Sequence, residues 1–175
     1  MIEASIKKSN LSEINFIEQG RLQEINVFSI ASEFLKKAKV AERQEMACIN
    51  LIGKKYAEIK INKKVDYVNS TCAGSGILCL AKFENTILGY DVVGERGKQS
   101  EKIGEEAALG LLKDIESGSC VDSFMIDMIL PYLAIFKGKV KFNFLTEHAK
   151  TNMEIIKKFL DVDFKIKDKI IEVLK

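Results

Sequence analysis

The stretch Thr146-Glu-His-Ala-Lys-Thr-Asn-Met-Glu154 joins the only histidine of the chain, His148, to the start of a helix. Thr151 and Glu154 have the spacing of a capping box, in which a hydroxyl and a carboxylate three residues apart bind the unpaired amides of a first turn. An amphipathic run follows, with apolar Ile155, Ile156, Phe159 and Leu160 and polar Lys157 and Lys158. The stretch therefore predicts a helix that opens at Thr151, with His148 just before it.

This position of His148 suggests a chemistry. A helix N-terminus offers unpaired amides and the positive end of the helix dipole, both of which suit a phosphate. A nucleophilic imidazole beside a phosphate site is an arrangement for nucleotidyl transfer. The alternative is that His148 is a surface or packing residue, because so short a motif specifies function only loosely.

Length and composition set the class of protein. With 175 residues, 47% of them apolar and 30% charged, the chain can form one good core or two small ones. No apolar run reaches the roughly 18 residues of a membrane span, and residues 1–8 lack the apolar core of a signal peptide. We therefore expect a cytoplasmic protein with no membrane partner. The net charge of +2 gives weak overall attraction to nucleic acid, although residues 137–175 hold ten lysines against six acidic residues.

The four cysteines favour buried thiols over a metal site. Cys48, Cys72, Cys79 and Cys120 form no Cys-x-x-Cys pair, and one histidine cannot complete a usual zinc set with them. We therefore expect no metal held by these side chains. Cys48 and Cys79 lie in apolar surroundings and are predicted to be buried. A disulfide framework is not expected in a cytosolic chain of this size.

Strands and helices alternate along the chain, which predicts an α/β or α+β fold. Apolar alternation and β-branched runs predict strands at 2–6, 22–30, 56–65, 77–83, 86–93, 140–144, 162–166 and 170–174, with 11–18 as a further candidate. Helical spacing predicts helices from Ser32 to Gly53 (one helix, or two if it breaks near Lys39), from Ser100 to Gly118, from Asp122 to Phe136, and from Thr151.

Several short stretches, taken in order, resemble the RNA 3'-terminal phosphate cyclase family. Each is weak alone, but together they cover almost the whole chain. They are Ala41-Glu-Arg-Gln44; Gly74-Ser-Gly-Ile77; Gly94-Glu-Arg-Gly-Lys98 followed by Glu101 and Gly104; Phe124-Met-Ile-Asp-Met128 leading to Leu130-Pro-Tyr-Leu133; and Thr146-Glu-His148 with Thr151-Asn152 and Phe159-Leu160.

The resemblance implies a fold and a domain organisation. The family's larger domain is built of βαβαββ units, as in the cyclase/enolpyruvyl-transferase-like fold, and carries an inserted small α/β domain of four strands and two helices. By resemblance, residues 1–8 and 93–175 are the C-terminal part of the catalytic domain, and residues 9–92 are the insert. The family also has an N-terminal portion about as long again. A separate N-terminal half-chain, a truncation and a degraded gene all remain open explanations.

The resemblance also implies an activity. The family uses ATP and a divalent cation (Mg²⁺ or Mn²⁺) to convert an RNA 3'-phosphate into a 2',3'-cyclic phosphodiester. The family's histidine, which becomes adenylylated, aligns with His148. Its adenine-nucleotide segment aligns with Phe124, Met125, Ile126, Asp127 and Met128. Phe124 replaces a more usual tyrosine and Met128 a more usual glutamine, so a hydroxyl and an amide that could contact the nucleotide are lost.

Other functions remain open at this point. A non-catalytic RNA-processing factor, acting in ribosomal RNA maturation on the same scaffold, is favoured by the altered Phe124 and Met128 but not by retention of His148. A third candidate is an enolpyruvyl-transferase-like enzyme. It is disfavoured because the sequence shows no matching substrate-binding cluster. Arg96 and Lys98 are candidates for contact with the RNA backbone, with a solvated turn as the alternative interpretation.

Overall fold

The computed structural model describes residues 3–5 and 12–174. The strands are β1 (Ile14–Phe16), β2 (Leu22–Ser32), β3 (Lys60–Val68), β4 (Ser75–Phe83), β5 (Ile87–Val93), β6 (Gly138–Lys141), β7 (Asp163–Lys167) and β8 (Ile170–Leu174). The helices are α1 (Val40–Lys55), α2 (Ser100–Ser117), α3 (Met125–Phe136) and α4 (Glu147–Phe159), with a 3-10 helix at Glu33–Ala38 before α1.

The first sheet has the strand order β3-β2-β4-β5, with β2 parallel to β3 and antiparallel to β4. Alternation along β2 sends Ile25 and Val27 into a core, while Phe28 and Ile30 on the other face are 41% and 45% exposed. Helices α1 and α2 supply the rest of this core, including Ile52 and Leu111. The first unit is thus a sheet with two helices against one face.

Helices α1 and α2 cross closely because of Gly104. A Cβ at this position would lie 2.1 Å from the carbonyl oxygen of Gln44 in α1, so only glycine allows the two backbones to approach this far. On the outer side of the crossing, Arg43 forms a two-pronged ion pair with Glu101, at 2.7 and 2.8 Å. The resemblance pieces at 41–44 and at 101–104 therefore meet at this crossing.

The second sheet has the order β1-β6-β8-β7, with β1 parallel to β6 and the other pairs antiparallel. Its elements follow the chain as β1, α3, β6, α4, β7 and β8, which is the βαβαββ order that the resemblance implied. The first sheet and its helices are inserted between β1 and α3. Helices α3 and α4 cover this sheet and share with it a second core, which contains Leu130, Val140 and Ile171. The predicted fold class is confirmed.

The side chain of Asp114 links the two units through hydrogen bonds. Its side chain is fully buried in α2 and accepts hydrogen bonds from the Ser123 amide (3.1 Å), the Ser123 hydroxyl (2.8 Å) and the Asn143 side chain (3.0 Å). These partners lie just before α3 and just after β6. Nearby, the side chain of Gln19 donates to the carbonyl of Ser119 at 2.7 Å, next to the two ends of the inserted segment.

Several helices and strands begin or end at residues other than those predicted. The break near Lys39 is present, with φ of +50° there, but the piece before it is a 3-10 helix. Gly53 does not end α1, which continues to Lys55. The strands predicted at 56–65 and 140–144 lie at 60–68 and 138–141. Of the strand predicted at 2–6, residues 2 and 6 are outside the described residues, and residues 3–5 are not in a strand. The domain limits 1–8, 9–92 and 93–175 stay a prediction.

Candidate functional site

Helix α4 begins one turn earlier than the sequence predicted. Its N-cap is Thr146, in extended conformation, and the Thr146 hydroxyl accepts a hydrogen bond from the Ala149 amide at 2.9 Å. The prediction of Thr151 as N-cap is wrong: this hydroxyl donates to the Glu147 carbonyl at 2.9 Å inside the helix. The earlier start is stabilised because it places Ala149, which is fully buried, in the second core.

His148 consequently lies in the first turn of α4 rather than before it, and its side chain is exposed. Within residues 3–5 and 12–174, no group accepts a hydrogen bond from the amides of Glu147 or His148. Unpaired amides at the positive end of a helix dipole suit an anion. An accessible imidazole and a helix end with unpaired amides therefore occur at the same place.

Asp127 holds the start of α4 against the start of α3. Its carboxylate accepts from the hydroxyl of Thr146, and its backbone carbonyl accepts from the side chain of Asn152 at 3.1 Å. Thr146 precedes His148 by two residues, and Asn152 follows it by one helical turn on the same face. The structure thus brings the sequence-predicted nucleophile together with the sequence-predicted nucleotide segment.

The other residues of that segment differ in exposure. Phe124, Met125 and Met128 are 50%, 42% and 65% exposed, whereas Ile126 is 1% exposed and packs in the second core. Ile126 is therefore not accessible to a ligand. Phe124 packs at a tilt against Tyr90 of the first unit, with 5.4 Å between ring centroids. The exposed members form an apolar surface that could cover a base.

Sequence reasoning missed Asp122, which sets the position of this segment. One oxygen of its carboxylate accepts from the amides of Phe124 (3.0 Å) and Met125 (2.7 Å), and the other accepts from the Gly89 amide of β5 (3.1 Å). An aspartate just before an apolar helical run is a common capping signal, so the pattern was visible. Its contact with β5, 33 residues away, was not.

The described residues do not build a metal centre. Among them, no three histidine, cysteine, aspartate or glutamate side chains come together in a group that could hold an ion. The same residues contain no helix with the length and apolar character needed to cross a bilayer.

The family model described as RNA 3'-terminal phosphate cyclase (RTC), insert domain, matches residues 17–116. A protein of Saccharolobus solfataricus named RNA 3'-terminal phosphate cyclase is 38% identical over 160 residues, which cover 91% of this chain and 47% of that protein. The chain belongs to the RNA 3'-terminal phosphate cyclase family. Proteins of the same name from Sulfurisphaera tokodaii and Pyrococcus furiosus are each 39% identical, over 91% and 74% of this chain.

This cyclase-family chain spans about half the length of the curated relatives it matches, since the matched part covers 47%, 46% and 37% of the three relatives. The segment matched as insert domain begins after β1 and runs almost to the end of α2. It therefore contains the first sheet and both helices that pack on it. His148 and the segment Phe124–Met128 lie beyond it, on the βαβαββ unit.

Proposed function

We propose that this chain carries the histidine of an ATP-dependent RNA 3'-terminal phosphate cyclase. The observation that supports this most directly is the place of His148. It is exposed on the first turn of α4, and residues on both sides of it bind Asp127. An exposed imidazole at a helix end with unpaired amides, on a helix that is hydrogen-bonded to the nucleotide segment, suits attack on the α-phosphate of a nucleotide.

The proposed reaction has three transfers. A ring nitrogen of His148 forms a bond to the α-phosphorus of ATP, the bond from that phosphorus to the bridging oxygen breaks, and pyrophosphate leaves. An oxygen of the RNA 3'-phosphate then takes the adenylate, which breaks the nitrogen–phosphorus bond. Finally, the adjacent 2'-hydroxyl oxygen attacks the 3'-phosphorus, loses its proton and releases AMP. The free amides of Glu147 and His148 would stabilise negative charge during the first transfer.

Four of the five residues of the nucleotide segment have a place in this proposal, and Ile126 stays in the core. The exposed side chains of Phe124, Met125 and Met128 would cover the adenine through apolar and stacking contacts. Asp127 would hold the start of α4 in position, because its carboxylate accepts a hydrogen bond from the Thr146 hydroxyl. Mg²⁺ or Mn²⁺ would accompany the triphosphate of ATP, which supplies its own oxygen ligands.

We further propose that the rest of the family's length, carried on the same polypeptide or on a separate one, completes the enzyme. Helix α3 supports this with a line of exposed apolar side chains, Met125, Met128, Tyr132 and Ile135, all at least 42% exposed. Such a stripe at helical spacing is typical of a surface that packs against another element. The proposed site lies at one end of this stripe.

The test is covalent labelling with ATP radioactive at the α-phosphate, in the presence of Mg²⁺ or Mn²⁺. The chain, with and without the remaining half of a relative, should acquire label that is stable to alkali and released by acid, as expected for a phosphoramidate. His148→Ala should abolish the label. Lys150→Ala, an exposed change two residues away, should retain it. Label of equal intensity on the His148→Ala protein would overturn the assignment.

A non-catalytic RNA-processing factor is the second candidate, and the altered Phe124 and Met128 favour it. Both are exposed on the proposed nucleotide surface, where they offer no hydrogen-bonding group of their own. RNA binding by the completed protein, without any adenylylation of His148, would favour this function over the cyclase. Labelling of His148 would exclude it.

A further inference from the structure

A cavity of about 490 Å³ lies in the first unit. None of the residues that line it belongs to the segment that holds His148. It is bounded by the 3-10 helix, the start of α1, residues 73–75, the loop 94–98 and the first turn of α2. Its apolar wall is formed by Leu35, Val40 and Ile103. Its polar wall contains Gln44, Ser100, Arg96 and the ion pair of Glu95 with Lys98.

The hydroxyl of Ser100 is available to a ligand in this cavity. Ser100 is only 7% exposed, and its hydroxyl makes no hydrogen bond with any residue that the structure describes. It is also the first residue of the 18-residue helix α2, whose N-cap Gln99 provides no side-chain cap. The hydroxyl oxygen of Ser100 is nevertheless accessible, since it is not one of the buried side-chain atoms without a partner, and Ser100 lines the cavity. The cavity is the space from which a ligand would reach it.

Gln44 forms a fixed floor beside Ser100. It is 1% exposed, and its side-chain carbonyl accepts from the Ser29 hydroxyl at 3.1 Å. Its amide nitrogen donates to the Ser75 hydroxyl at 2.9 Å. A primary amide has two hydrogens, so one remains to donate to a ligand. The floor is thus held in place by α1, β2 and β4 before any ligand arrives.

Arg96 gives the mouth of the cavity a positive charge. The other two arginines of the chain are held by carboxylates, Arg21 by Glu84 and Arg43 by Glu101. Arg96 is exposed and forms no ion pair with any of the described residues. Lys98 is engaged instead: it donates to Glu106 at 2.5 Å, and this bond raises the pKa of Lys98. The free cation at the mouth is therefore Arg96.

We infer that this cavity binds one nucleotide of a single RNA strand. Its phosphate would contact Arg96 and the Ser100 hydroxyl and amide, and its base would lie on Leu35, Val40 and Ile103. The volume is that of a typical small-molecule site, and the pairing of an apolar wall with a few polar groups is typical of one. The inference rests on the proposed function, in which RNA is the substrate, and adds a second place where the strand is held.

The test is binding of a fluorescent single-stranded RNA to the full chain, measured by anisotropy at several salt concentrations. Arg96→Ala should weaken binding about tenfold and reduce the salt dependence by about one phosphate contact. Ser100→Ala should also weaken binding while leaving thermal stability unchanged, since its hydroxyl has no protein partner to lose. Arg21→Ala, an exposed arginine paired with Glu84, is the matched control and should bind as wild type does. Wild-type affinity in Arg96→Ala would overturn the inference.

Two further experiments complete the test. One distinguishes a nucleotide from inorganic phosphate as the ligand of the cavity, and the other distinguishes RNA binding in the cavity from the proposed cyclase reaction. Cytidine monophosphate should displace the RNA at lower concentration than inorganic phosphate, because only the former reaches the apolar wall; equal competition would overturn the assignment of that wall to a base. His148→Ala should leave RNA binding by this cavity unchanged. Failure of the wild-type protein to become adenylylated, with Arg96-dependent RNA binding intact, would overturn the cyclase proposal alone.

Discussion

The hydroxyl of Thr146 is shared between two helices, because it accepts from the Ala149 amide in α4 and donates to the Asp127 carboxylate in α3. A hydroxyl has one hydrogen to donate and lone pairs to accept, so both bonds form at once. This one side chain both starts the helix that carries His148 and fixes it against the proposed nucleotide surface.

We predict that Thr146→Ala lowers the free energy of unfolding by about 1–2 kcal/mol, the usual cost of a lost N-cap. Thr146→Ser should recover most of this loss, because serine keeps the hydroxyl. Urea denaturation measures both. In the labelling assay, Thr146→Ala should also slow adenylylation of His148 more than Thr146→Ser does. An alanine variant as stable as wild type would show that the cap contributes nothing.

Gly104 should be the least replaceable glycine of the helices. Gly104→Ala places a methyl group against the Gln44 carbonyl and should cost about 1–3 kcal/mol, because α1 and α2 must move apart. Gly53→Ala is the matched control, since a Cβ there meets nothing within 4 Å, and it should stabilise α1 by up to about 1 kcal/mol. Thermal and chemical unfolding of the two variants should change in opposite directions.

Asp114 should contribute strongly to stability. Asp114→Ala leaves the Ser123 amide and the Asn143 side chain without their acceptor, and should cost about 2–4 kcal/mol. Asp161→Ala, an exposed aspartate, should change stability by less than about 0.5 kcal/mol. If the Asp114 variant unfolded in two separate steps, the two units would be shown to depend on this carboxylate for their coupling.

The Arg43–Glu101 pair should make stability depend on pH. Hydrogen bonding to the Arg43 guanidinium holds the pKa of Glu101 below its usual range. A carboxyl with a depressed pKa stabilises the fold above its unfolded pKa of about 4.3 and loses this contribution as the pH falls through the folded value. Wild type should therefore melt above Glu101→Gln at neutral pH, with the gap closing below about pH 4 and shrinking in high salt because the pair is half exposed. A gap independent of pH would contradict the assignment.

The four cysteines should differ in reactivity. Cys72 is exposed, whereas Cys48, Cys79 and Cys120 are buried. The sulfur atoms of Cys48 and Cys79 lie 3.1 Å apart, and this contact together with burial raises the pKa of Cys79; burial also raises that of Cys120. Mass spectrometry after brief treatment with iodoacetamide should find one modified thiol in the native protein and four after denaturation. Cys72→Ser should remove the fast reaction.

Local patterns predicted much of the fold because their physical causes are local. Two apolar runs predicted the strands at 77–83 and 86–93, which pair as the hairpin of β4 and β5, and Gly118 ends α2 with φ of +67° as predicted. The predicted burial of Cys48 and Cys79 is confirmed. The βαβαββ order came from the resemblance, which related stretches that periodicity could not connect.

What the sequence could not supply depends on residues far apart in the chain. Thr146 and Thr151 both offer a hydroxyl before a helical run, and the choice between them is made by Asp127 and by burial of Ala149. The cavity is a stronger example. Leu35 and Ser100 are separated by most of the first sheet in sequence, so neither the cavity nor the unpartnered hydroxyl has a local signature.

The hydrogen bond between Gln19 and Ser119 joins residues 100 positions apart. The inserted segment thus leaves the βαβαββ unit and returns to it at almost the same point. A short turn could close that opening, so an ancestor of this family could have acquired or lost the whole segment in a single recombination without rethreading any strand of the host sheet.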